Sequence, residues 1–207
     1  CFKLFSDGIE VELLDYQSPY YTVSDPAWSM FYMEIELAGI TDPDSIVQNG
    51  VDYAYCMQEE NEIVRNRVYD GYLISTMDEV DPNLPNFEWD KINYILNNKQ
   101  GNYSDVQDAI WIYTGDKTTA QVSATWLAIY NDAEANGSGF RPGEGEILGI
   151  YIYLPIQDDN GEQNDIQDLL IERPVPPCFY IPEIPLGTLT ALATMVSVLF
   201  VKYKREQ

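Results

Sequence analysis

The period of the apolar residues changes twice along this chain, and that constrains the fold more than any other feature. Up to about residue 86 apolar side chains tend to recur at every second position, the strand period. Ile9-Glu-Val-Glu-Leu-Leu follows an Asp7-Gly8 turn signal, so residues 2–14 read as strands around that turn. Residues 15–29, rich in Tyr, Ser, Pro and Asp, read as loop, and Phe31-Tyr-Met-Glu-Ile-Glu-Leu37 as a strand. Asn49-Gly50 closes a further loop. In Val51-Asp-Tyr-Ala-Tyr-Cys56, alternation puts Val51, Tyr53 and Tyr55 on one face and Asp52, Ala54 and Cys56 on the other. Residues 63–76 supply one or two more strands.

From residue 87 the period becomes helical. Ile92, Ile95 and Leu96 share a face of a helix over Phe87–Asn98, ended by Asn97-Asn98-Lys99-Gln100-Gly101. Val106, Ala109, Ile110 and Tyr113 fall at i, i+3, i+4 and i+7 of a second helix. Ser104 is its expected N-cap, and it ends near Gly115. A third helix is expected over Thr119–Asn136, with Val122, Trp126, Ile129, Tyr130 and Ala133 along one side and Asn136-Gly137 as its stop. Strand character returns at Ile147-Leu-Gly-Ile-Tyr-Ile-Tyr-Leu154, and Ile166–Glu172 reads as its hairpin partner across a polar turn. The fold class is therefore α+β: a β-rich domain over 1–172 with an inserted three-helix block at about 87–136.

Charge narrows the partners. The formal charge is −23, and residues 1–201 hold eight bases against 33 acids. Such a surface repels nucleic acid and anionic headgroups. There is no histidine, which removes Ser-His-Asp triads and His-containing zinc sites. The three cysteines, Cys1, Cys56 and Cys178, lack CxxC spacing, so no structural metal and no cofactor is expected. A first residue that is Cys leads us to expect that a leader segment has been removed, and sparing cysteine usage fits a secreted protein with one disulfide. Asp158, Asn160, Glu162 and Asp165 are oxygen donors in one loop, but Gly161 comes too early for an EF-hand, and an exposed acidic turn is the simpler reading. Asn102-Tyr-Ser104 and Asn136-Gly-Ser138 are candidate glycosylation acceptors.

The end of the chain reads as a membrane-linked address. Residues 173–183 form a Pro-rich spacer beginning Arg173-Pro-Val-Pro-Pro-Cys178. Residues 184–201 carry no charge, and as a helix would span about 27 Å, close to a bilayer core. The basic residues of 202–207 place the C-terminus in the cytoplasm and the acidic domain outside. Ile181-Pro182-Glu183-Ile184-Pro185, the apolar run and the Lys/Arg end together resemble the Pro-Glu-Phe type of C-terminal sorting signal of archaeal surface proteins, with Ile184 where that pattern often has Phe.

Cys56 closes a strand, and Gln107 lies beside the apolar stripe of a helix. From the residues alone, Gln107 is a hydrogen-bonding group at the rim of the core. Cys56 is either a buried free thiol or half of a disulfide with Cys1 or Cys178. Tyr55-Cys56 and Val106-Gln107-Asp108-Ala109-Ile110-Trp111 taken together resemble the thioester domains of Gram-positive surface adhesins. Those carry an aromatic-Cys motif on a β-element and a hydrophobic-Gln-x-Ala-apolar-Trp motif on a helix. The resemblance covers roughly residues 30–172 and departs from the pattern at Met57-Gln58, where these domains often have another aromatic. It implies that the Cys56 thiol and the Gln107 amide condense with loss of ammonia. Tyr53, Tyr55, Trp111 and Tyr113 would then wall the site, and Cys1 and Cys178 would remain to pair with each other.

The resemblance implies a cell-surface adhesin-like domain, not an enzyme, that attaches to an extracellular protein or glycan through single-turnover chemistry. It would be held at the membrane by its C-terminal helix. The alternative is a non-reactive structural subunit of a filament, sheath or envelope layer that packs with copies of itself.

Overall fold

In the computed structural model the alternation of the strands closes on itself. The described residues are 8–16, 33–59, 61, 63, 67–78, 81–121, 123–155 and 166–177. Six strands are present among them: β1 (Ile9–Tyr16), β2 (Met33–Ala38), β3 (Gly50–Cys56), β4 (Val68–Ser75), β5 (Ile147–Tyr153) and β6 (Leu169–Pro174). They form a closed antiparallel barrel in the order β1-β2-β3-β6-β5-β4, with β1 also pairing β4. Closure gives each of the six described strands a partner on both sides.

The period of two sorts side chains into two cores. Ile9, Val11 and Leu13 of β1, Met33, Ile35 and Leu37 of β2, and Ala54 and Cys56 of β3 point inward. They meet Tyr69 and Leu73 of β4, Leu148, Ile150 and Ile152 of β5, and Leu169 and Ile171 of β6. Tyr55, Ile74, Tyr151 and Leu170 point outward and are buried beneath helices.

Those helices are the predicted insert, lying between β4 and β5: α1 (Trp89–Asn97), α2 (Tyr103–Thr114) and α3 (Ala124–Asn136). The third helix is shorter than expected. Thr119–Gln121 forms a separate 3-10 turn, and α3 starts after Ser123. Of its expected apolar side, Trp126, Ile129 and Ala133 are buried.

Helix α2 also starts differently. Its N-cap is Asn102, whose side chain accepts from the Ser104 and Asp105 N–H groups, while the Asp105 carboxylate accepts from the Asn102 N–H. Ser104 lies inside the helix as a residue of its first turn. A reciprocal cap satisfies more of the orphan N–H groups than a lone serine would. Gly115, with φ of 91°, ends the helix in the left-handed region.

Helix α1 approaches the barrel at Gly149, where a β-carbon would stand 3.1 Å from Leu170 Cδ1 and 3.2 Å from Asn93 Oδ1. Asn93 Oδ1 instead accepts from the Gly149 N–H at 2.9 Å. No helix among the described residues is long and apolar enough to cross a membrane. The spacer expected from residue 173 starts later, because Arg173 and Pro174 belong to β6 and Val175 is buried in the inner core. The expected membrane segment 184–201, residues 178–183 (Cys178 included) and 202–207 beside it, Cys1, and the loop bearing Asp158, Asn160, Glu162 and Asp165 lie outside the described residues.

Candidate functional site

Cys56 is the last residue of β3, and its edges are used unequally. The Met57 N–H donates to the Asp168 carbonyl at 3.0 Å, toward β6. Backbone groups alternate sides along a strand, so the Cys56 N–H and C=O point the other way, toward the β2 edge. The β2–β3 register runs from Gly50 to Ala54, where Ala54 faces Met33. At Cys56 the side chain of Gln107 supplies the ladder. Its Oε1 accepts from the Cys56 N–H at 2.8 Å, and its Nε2 donates to the Cys56 carbonyl at 2.7 Å. One primary amide thus satisfies both backbone groups of one residue, 51 positions away in the chain.

Helix α2 can deliver this amide because it buries two faces. Val106, Ala109, Ile110 and Tyr113 pack in the outer core under the helices. Gln107 and Trp111, one turn apart, share another face. Trp111 belongs to the same inner core as Cys56. Gln107 and Cys56 are each only 1 % exposed, which excludes water from the pair.

The thiol of Cys56 is free and buried. Burial pushes it well above its ordinary range, and the Gln167 carboxamide beside it opposes that rise. A charged strap crosses the neighbouring surface. The Lys117 ammonium lies 2.6 Å from Asp108 Oδ1 and 3.3 Å from Glu59 Oε1, and 4.5 Å from the centroid of the Trp111 ring. It thereby joins the segment after Cys56 to the helix that carries Gln107.

The aromatic residues picked out from the sequence divide between places. Trp111 stands with Cys56. Tyr55 is buried in the outer core, on the opposite face of β3, and Tyr53 is half-buried opposite Glu34. Tyr113 turns toward α3: its hydroxyl donates to Glu134 Oε1 at 3.0 Å, and its ring stacks on Tyr130. Burial and the adjacent Glu134 carboxylate both raise that phenol. The reason is helical geometry, since positions 111 and 113 are about 200° apart around the axis. Of the two glycosylation candidates, Asn102 caps α2, and Asn136 Nδ2 donates to Asp132 Oδ1 at 2.8 Å.

The polar residues around the far side of Cys56 carry no motif and were not singled out from the sequence. Gln58, Gln167 and Asp168 are linked to one another, and Asp168 accepts from Tyr151. Their one sequence signal is position, as polar residues beside the apolar ends of β3 and β6.

No family model matches the chain, and no curated protein does. Among solved structures, the N-terminal thioester domain of a surface protein from Clostridium perfringens is similar at 12% identity with a TM-score of 0.46. The alignment covers 81% of this chain and 99% of that one. A cysteine-to-alanine mutant of the same domain aligns at 12% identity over the same shares, with a TM-score of 0.44.

Proposed function

We propose that this is a surface-displayed, adhesin-like domain in which Cys56 and Gln107 condense to an internal thioester that captures an amine of an external partner. The observation that carries the reading is the paired hydrogen bonding of the Gln107 amide to the Cys56 backbone, at 2.8 and 2.7 Å. The motif resemblance at Tyr55-Cys56 and Val106–Trp111 supports it independently.

The geometry suits the chemistry. In a strand the N–H and C=O lie near the sheet plane while the Cα–Cβ bond leaves it. An amide bonded to both backbone groups lies close to that plane. Cβ of Cys56 therefore lies to one face of the amide plane, the side from which a nucleophile adds to a trigonal carbon. As the sulfur adds, charge builds on Gln107 Oε1, where the Cys56 N–H already donates. The sulfur–carbon bond forms, the carbon–nitrogen bond breaks, and the thiol proton leaves with the nitrogen as ammonia. Later attack by a primary amine reverses the roles. A new amide forms at Gln107, and the sulfur departs and takes up the amine's proton. Each chain reacts once, so the domain acts as a binder and not as an enzyme.

Surface display rests on the strongly acidic composition and the expected C-terminal anchor. The partner is then an extracellular protein bearing an accessible amine, or a glycan held non-covalently.

A second reading, a non-reactive structural subunit, has two observations in its favour. The Cys56 thiol is held in its neutral form, and both members of the pair are closed to solvent. In that reading Gln107 completes the ladder of β3 and does nothing more. Incubation with a fluorescent primary amine separates the two. The covalent reading predicts label on the Gln107 peptide and none in Cys56→Ala. Absence of label from the intact protein, including after mild heating to open the site, contradicts it.

A further inference from the structure

A cavity of about 510 Å³ opens where the connection from β4 to α1 meets the connection from α3 to β5. It shares no lining residue with the Cys56–Gln107 pair. Its walls are fastened in place. The Pro85 carbonyl accepts from the Phe87 N–H at 2.9 Å and from the Trp89 indole N–H at 2.8 Å, which ties the incoming connection to the start of α1. The Phe87 and Trp89 rings meet with centroids 5.4 Å apart. The outgoing connection is tied to the same helix: the Gly139 N–H donates to Asp90 Oδ2 at 2.7 Å, and the Phe140 ring stands edge-on to Tyr94 at 5.5 Å.

The lining mixes ring faces with polar groups of every hydrogen-bonding kind. Asn93 lines the cavity while only 1% exposed. Its Oδ1 accepts from the Gly149 N–H, and its Nδ2 donates to Thr76 Oγ1 at 2.9 Å. That nitrogen carries a second N–H, for which the described residues supply no acceptor. Asp90 accepts one backbone N–H on each oxygen, from Lys91 and from Gly139, and an ionised carboxylate has about four acceptor positions. Asn86 and Arg141 line the cavity from exposed positions.

We propose that this cavity binds a neutral mono- or disaccharide, with Phe87 and Phe140 against the C–H face of a sugar ring and Asp90, Asn93, Asn86 and Arg141 on its hydroxyls. The volume lies within the range of about 300–1,000 Å³ common for ligand sites. The electron-rich face of an aromatic ring attracts the polarised C–H groups of a sugar. Hydroxyls both donate and accept, so they satisfy a carboxylate, carboxamides and a guanidinium together. An anion would meet Asp90 and the chain's net charge of −23, and a cation would meet Arg141. A wholly apolar ligand would strip water from Asp90 and return no hydrogen bond. Walls already fixed by their own contacts lose little freedom when the ligand enters. The site goes beyond the thioester reading and stands whether or not Cys56 and Gln107 react.

The test titrates the isotopically labelled full chain and follows the amide signals of Asn86, Phe87, Asp90 and Gly139. The probes are glucose, galactose, mannose, N-acetylglucosamine, lactose and cellobiose, with glucuronic acid and glucosamine as charged probes. At least one neutral sugar should shift these signals with a Kd of about 1 mM or tighter, and bind about fivefold more tightly than either charged probe. Phe87→Leu and Arg141→Ala should each weaken it about tenfold with native circular dichroism retained, and Cys56→Ala should leave it unchanged. No shift at these amides from any neutral sugar at about 50 mM overturns the proposal, as does tighter binding of a charged probe. Binding unaltered in both folded variants overturns it too. A parent that shows the sugar shifts but never loses ammonia upholds this site and sinks the thioester reading alone.

Discussion

Removing the Gln107 amide should cost the fold more than an ordinary polar-to-apolar change. The sharpest perturbation is Gln107→Leu in a Cys56→Ala parent, because that parent keeps the backbone partners and cannot form a covalent bond. The substitution retains most of the side-chain volume on α2. It leaves the Cys56 N–H and C=O, 2.8 and 2.7 Å from their present partner, without a bond inside a site that water does not reach. Each orphaned buried group costs about 1–3 kcal/mol. The better burial of leucine returns a fraction of this, so the expected net loss is about 3 kcal/mol. Urea unfolding with an unchanged m-value is the assay. A loss below about 0.5 kcal/mol would show that water or a shifted strand replaces the amide, and would refute the site geometry. Gln107→Glu gives the sign. A carboxylate still accepts from the Cys56 N–H but faces the Cys56 carbonyl with no proton to donate, so its folded pKa should be raised. Stability should then be recovered as pH falls through that raised value and lost as pH rises.

Other perturbations probe the scaffold. Asn102→Ala removes the reciprocal cap of α2 and should cost about 1 kcal/mol, read as a lower melting temperature, whereas Ser104→Ala should cost less because Ser104 does not cap the helix. Gly149→Ala forces a methyl group against Leu170, Asn93 and Leu96 where α1 meets β5, and about 1–3 kcal/mol of overpacking strain should appear in chemical denaturation. Glu172, 2.6 Å from Lys99, is raised by burial more than Lys99 and Arg173 lower it. It binds its proton more readily folded than unfolded, so its contribution favours the fold at low pH. That contribution diminishes as pH climbs from the ordinary glutamate value to the raised one. Glu172→Gln should flatten that part of the stability profile measured by denaturation across the acid range.

The β-then-α-then-β order was legible because period two and period 3.6 leave different marks, and the helical insert emerged at nearly its observed boundaries. Barrel closure was not legible. Alternation says which face of β1 or β3 is buried, but nothing local says that β1 also pairs β4 or that β3 pairs β6. The start of α2 was misplaced by two residues for a clear reason. Ser104-x-x-Gln107 fits the capping-box pattern as well as Asn102-x-x-Asp105 does, and only the fold shows that Gln107 points inward at Cys56. At the site, the alternation around Tyr55 and Cys56 was readable from β3 alone, and the Cys56–Gln107 pairing came through family resemblance. Tyr113 was grouped with Trp111 by closeness in sequence, although a helix turns them to different neighbours. Gln58, Gln167 and Asp168 matter only through contacts between segments about 110 residues apart, a relation no local pattern encodes.

The central claim is that the Cys56 sulfur and the Gln107 amide carbon become bonded. Intact-mass measurement of the purified domain tests this most directly. The account predicts a mass lower than the sequence mass by one ammonia, full mass in Cys56→Ala, and addition of one methylamine at Gln107 when the wild-type domain is treated with that amine. Full sequence mass in the untreated wild-type domain, with a free thiol mapped to Cys56, would contradict it.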